Sequence, residues 1–81
     1  MVTQKDMETL KRIISKKIWK GKVELFFNSP EDYYLRLTHN DIQITTVLLN
    51  QQILNILKYP NALENLKQSI IRELLSMFIK G

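Results

Sequence analysis

Lys22-Val23-Glu24-Leu25-Phe26-Phe27-Asn28, Tyr33-Tyr34-Leu35-Arg36-Leu37-Thr38 and Ile42-Gln43-Ile44-Thr45 follow one another near the middle of an 81-residue chain. Asn28-Ser29-Pro30-Glu31-Asp32 and Asn40-Asp41 separate them. Each segment alternates. Val23, Leu25 and Phe27 point one way and Lys22, Glu24 and Phe26 the other; Tyr33, Leu35 and Leu37 oppose Tyr34, Arg36 and Thr38; Ile42 and Ile44 point inward. Period-two alternation bounded by turn residues is the signature of strands. Pro30 fixes φ in the first turn, and Asn40-Asp41 tolerates the positive φ of a tight two-residue turn. The parities agree with one register. If Phe26 faces Tyr34, Glu24 faces Arg36, and Leu37 facing Ile44 needs no bulge. A slip of one residue would invert every side chain, so this agreement predicts a three-stranded antiparallel meander.

Outward from the meander, the spacing changes to that of helices. Met7, Leu10, Ile14 and Ile18 share one face from Thr3 to about Ile18. Thr3 with Asp6 is a variant of the capping box, and Gly21 is expected to end this region. A second helix is expected from about Thr46 to Tyr59, stopped by Pro60, with Val47, Leu49, Ile53, Leu54, Ile56 and Leu57 on its apolar arc. Asn61 with Glu64 opens a third, running to about Lys80. The fold class is therefore α+β, ordered α-β-β-β-α-α, in a single domain covering residues 1–81.

The third helix carries two apolar stripes. Leu63, Leu66, Ile70, Leu74 and Met77 form the first; Ile71, Leu75 and Ile79 form the second, with Phe78 between them. A helix apolar on two faces packs on two things. One is the core of the domain. A second copy is the expected other, and Ile71, Leu75, Phe78 and Ile79 are the expected interface of a homodimer. A core this small commonly gains from oligomerisation.

Net charge is +4, and it is unevenly placed. Lys11, Arg12, Lys16, Lys17, Lys20 and Lys22 fall within twelve positions that hold no acid. With Trp19 among them, they are the candidate nucleic-acid-binding residues: cations neutralise phosphates, and an indole can stack on a base. Lys outnumbers Arg, which suits diffuse phosphate contact with DNA or RNA and little sequence specificity. An acidic protein partner would suit the same charges, and an anionic membrane surface suits them less. The six form one surface only if the chain turns at Gly21 so as to keep Lys20 and Lys22 on the side of the helical cations. On the outer sheet face, Phe26, Tyr34, Arg36 and Lys22 would sit together. A covering helix is expected there, because an uncovered Phe–Tyr patch harms solubility.

Other chemistries are poorly served. The chain has no Cys, hence no disulfide and no thiolate ligand. His39 is the single histidine and sits beside a turn; Glu31 and Asp32 are explained by the turn after Pro30. Nothing pairs Ser15, Ser29, Ser69 or Ser76 with His39 as nucleophile and base. No Gly-rich phosphate loop and no metal-ligand cluster is present. No catalytic residue, metal or cofactor is assigned, and no enzyme activity is expected. Lys5, Asp6 and Glu8 interrupt the first dozen residues, where a secretory leader would be apolar, and no run approaches the ~18 apolar residues of a membrane span. A soluble, cytoplasmic (intracellular) protein is expected, and a membrane is not an expected partner. Many Ile, Lys and Asn against one Ala suggest an AT-rich coding sequence of microbial, phage, viral or mobile-element type.

The order helix–three strands–helix resembles that of double-stranded-RNA-binding domains. In that family the last helix opens with a lysine cluster that grips phosphates. The expected counterpart here opens Thr46-Val47-Leu48-Leu49, with no cation before Lys58, so the likeness stops at element order. The leading expectation is a small non-enzymatic regulatory or accessory protein, homodimeric, binding nucleic acid through the basic N-terminal helix. The alternative is an inhibitor or adaptor that docks on another protein through apolar helix surface.

Overall fold

A computed structural model describes residues 2–79. Its elements are α1 (Gln4–Lys17), β1 (Lys22–Ser29), β2 (Asp32–His39), β3 (Ile42–Leu49), α2 (Asn50–Lys58), a 3₁₀ turn (Pro60–Ala62) and α3 (Leu63–Ile79). The three strands form one antiparallel sheet in the order β1-β2-β3. The α-β-β-β-α-α arrangement read from the alternation is the observed one. Registers match as well: Phe26 pairs with Tyr34, Glu24 with Arg36, and Leu37 with Ile44. Asn40 takes a φ of 53° in the two-residue turn between β2 and β3, which Asn tolerates better than most side chains.

Thr3 caps α1 with both halves of a capping box. Its hydroxyl accepts from the Asp6 N–H, and the Asp6 carboxylate accepts from the Thr3 N–H. Leu10 and Ile14 from α1, Ile53 and Ile56 from α2, and Leu63, Leu66 and Ile70 from α3 all pack on one sheet face. Tyr33, Leu35, Leu37, Ile44 and Leu48 supply that face. All three helices therefore cover the same side of the sheet.

Two expectations fail here. The second helix does not begin at Thr46. β3 continues to Leu49, pairing with β2 until Leu49 meets Asp32. The β-branched run Thr45-Thr46-Val47 suits an extended strand, and the full-length ladder with β2 decides the matter. Val47 and Leu49 thus leave the helical arc, and the apolar residues that remain, Ile53, Leu54, Ile56 and Leu57, are all buried or half-buried. The second failure concerns the outer sheet face. No helix covers it, and Phe26, Tyr34, Val47 and Leu49 are exposed there. Phe27 has inward parity but sits at the sheet's end, where it is exposed and meets Tyr33 edge to face at 5.8 Å.

The elements define two ends of the molecule. At one, α1 finishes, the Trp19 indole donates to the Thr38 carbonyl at 3.1 Å, and β1 begins. At the other, β1 turns into β2 and β3 passes into α2. Asn50 clips these together: its N–H donates to the Glu31 carbonyl at 2.9 Å and its side-chain amide to the Pro30 carbonyl at 2.8 Å. α2 runs back from this clip towards the Trp19 end. The 3₁₀ turn lies beside Lys17 and Ile18, and α3 then returns past Leu48 towards the clip.

Candidate functional site

The candidate cations do not lie on one face. Along α1, helical spacing sets Arg12 and Lys16 with Lys5 on the side opposite Leu10 and Ile14, and all three are exposed. Lys17 instead lines an open groove with Ile18, Pro60, Asn61, Glu64 and Lys67, between the end of α1 and the start of α3. Lys22 lies on the outer sheet face, in register with Thr38. Its ammonium is 3.8 Å from the Glu24 carboxylate. Lys11 pairs with Glu8 at 3.0 Å. Acids just outside the basic segment thus reach back into it, through i,i+3 spacing on the helix and i,i+2 spacing on the strand. Arg12, Lys16, Lys17 and Lys20 form no ion pair among the described residues.

Trp19 is part of the core. It is 8% exposed, its ring stands edge-on to His39 at 6.3 Å, and its N–H is engaged by Thr38. The ring face needed for stacking on a base is not at the surface. His39 is exposed at the end of β2. The Ser29 hydroxyl donates to the Asp32 carboxylate at 2.8 Å within the β1–β2 turn, so both groups serve that turn. Among the described residues no group of three or more His, Cys, Asp or Glu is placed to hold a metal ion. Nor, among them, is any helix long and apolar enough to cross a membrane.

The apolar surfaces are more extensive. Leu74 of α3 is half-buried against the core, and the last fully buried residue of the helix is Ile70. Beyond it, Ile71, Leu75, Met77, Phe78 and Ile79 are all exposed, the last two to 71% and 77%. These include every residue assigned from sequence to a dimer interface. The segment from Ile71 to Ile79 is about 13 Å of helix. It helps to draw the molecule out to a 40 Å long axis against 25 and 18 Å in the other directions. Taking ~200 Å² for a large apolar side chain, the face shared by Ile71, Leu75, Phe78 and Ile79 leaves about 480 Å² of apolar surface open, with Met77 on the other side of the helix. That is the size of the largest patch on a typical monomer, a patch that often serves function.

The outer sheet face is graded along the strands. Phe26, Tyr34 and Val47 form one apolar row across all three strands, with Leu49 beyond Val47 at the clip end. The next row is Glu24, Arg36 and Thr45, and the last is Lys22, Thr38 and Gln43. The Arg36 guanidinium lies over the Phe26 ring, 4.6 Å from its centroid. It shields one side of Phe26 and keeps its charge at the margin of the row. This surface was missed in the sequence as an open one. The signal was there in the alternation of Thr45, Val47 and Leu49, but helical spacing masked it.

No protein-family model, no curated protein and no solved structure matches the chain. The double-stranded-RNA-binding likeness is limited by α2, which opens with the neutral run Asn50-Gln51-Gln52.

Proposed function

We propose that this chain is a small protein-interaction module whose first partner is a second copy of itself, joined through the C-terminal half of α3. The observation that carries the reading is the exposure of one face of that half-helix, apolar at Ile71, Leu75, Phe78 and Ile79 and turned away from the side on which Ile70 and Leu74 meet the core. Water gains nothing from such a surface, and a chain of this size has little core to stabilise it alone. Regulation or adaptation of another macromolecule would then be exerted by the assembled pair. Sedimentation equilibrium at micromolar concentration is expected to give twice the 9.6 kDa chain mass. Leu75→Glu places a charge inside the contact without touching the core, and is expected to return the mass to that of one chain. A wild-type protein that sediments as a monomer overturns this reading.

A second reading, nucleic-acid binding with little sequence specificity, is favoured by the exposure of Arg12, Lys16, Lys17 and Lys20 and by their lack of carboxylate partners among the described residues. Trp19 has no part in it. Affinity for duplex DNA or RNA would fall with salt at a slope set by the number of phosphates neutralised. A dimer would double that number. The combined substitution of Lys16, Lys17 and Lys20 by Glu is expected to abolish binding at low salt while leaving the circular dichroism unchanged. Binding that survives it removes these cations as the site.

A further inference from the structure

We propose that the exposed half of α3 from one copy lies across the open outer sheet face of the other, so that each protomer covers its partner. This rests on the self-association above and assigns what the contact is made of.

Three observations support it. The first is placement. α3 leaves the core at the end of the molecule where Asn50 clips the β1–β2 turn to α2, and Phe26, Tyr34, Val47 and Leu49 lie at that same end of the sheet. A two-fold axis at this end brings each helix to the other's sheet in a single operation.

The second is size. Three strands at ~4.8 Å spacing make a sheet about 14 Å wide, and Ile71 to Ile79 spans about 13 Å of helix. The half-helix is as long as the apolar row is wide.

The third is area. At ~200 Å² per large side chain, two helix faces of Ile71, Leu75, Phe78 and Ile79 packed only on each other offer about 950 Å². That is short of the roughly 1,200–2,000 Å² of stable interfaces. Adding the four outer-face residues from each protomer raises the total to about 1,600 Å², near the middle of that range. Covering the sheet also gives it helices on both faces, the usual fate of a sheet whose two faces are both apolar.

The test uses Val47→Glu. Val47 is exposed, at 46%, so the change does not disturb the core. Because the residue occurs twice in a two-fold contact, the dimer dissociation constant is expected to rise at least ~100-fold. The decisive measurement is mixing. Val47→Glu and Leu75→Glu chains, each monomeric alone, are expected to associate with one another, since one intact helix then meets one intact sheet. If Val47→Glu dimerises like the wild type, or if the mixture stays monomeric, the helix-on-sheet contact is overturned. A helix-on-helix dimer then remains if Leu75→Glu alone abolishes association. A monomeric wild type removes both proposals at once.

Discussion

Gly21→Ala is expected to lower the free energy of unfolding by about 3 kcal/mol, the cost of forcing a side chain into a backbone conformation that only glycine adopts with ease. Gly21 has φ of +146°. A methyl group there would overlap the Thr38 carbonyl oxygen and press on the Trp19 indole nitrogen and the His39 Cβ. Two of these atoms are fixed by the sheet, and the third makes the hydrogen bond that ties the α1–β1 connection to β2. The substitution therefore strains the backbone and disturbs the Trp19–Thr38 bond together. Trp19 is the sole tryptophan, so its fluorescence reports on this site during urea denaturation. A lower midpoint at unchanged slope is the expected result. An unchanged midpoint would mean that the chain reaches β1 by another path.

Trp19→Ala is expected to cost about 3–5 kcal/mol, as truncation of a buried Trp generally does. A chain of 81 residues has about 4–12 kcal/mol of stability in all. The variant is then near or past its threshold at 37 °C, visible as loss of cooperative melting by circular dichroism. Trp19→Phe keeps most of the apolar contact but lacks the N–H that meets Thr38. It is expected to cost less, about 1–2 kcal/mol, of which roughly 1 is the hydrogen bond. The two variants also separate the two roles open to this residue. If Trp19→Ala left stability unchanged and weakened nucleic-acid binding, the indole would be a surface group after all.

These effects converge on one short segment, Ile18 to Lys22, which lies within the charge cluster. The cluster is real as composition, but its structural meaning lies in Trp19 and Gly21 inside it. Gly21 lets the chain turn, and Trp19 anchors the turn on the neighbouring strand. The cations around them fall where the backbone leaves them: Arg12 and Lys16 on the outward side of α1, Lys17 in the groove beside Pro60, Lys22 on the far face of the sheet. Charge counted along a chain becomes a surface only through such placement.

The strands were legible because alternation is a local property. Whether Leu35 and Leu37 share a face with Val23 and Leu25 follows from period two and from turns whose residues allow one register. Thr46 to Leu49 is ambiguous in sequence for a complementary reason. Its apolar residues fit helical spacing as well as alternation, and the choice was made by hydrogen bonds to Tyr33, Tyr34 and their neighbours on β2, which are distant in sequence.

The sequence by itself determined the meander, its register, the order of the helices and the surplus of apolar residues on α3, because each of these follows from the repeat of side chains along a single element. The tertiary structure alone decided that all three helices share one side of the sheet, that full burial of α3 ends at Ile70, and that Phe26, Tyr34 and Val47 form an uncovered row. Which face a helix covers depends on the paths of its connections. The clip at Asn50 and the corner at Pro60 return α2 and α3 to the face already occupied by α1, and leave the other open.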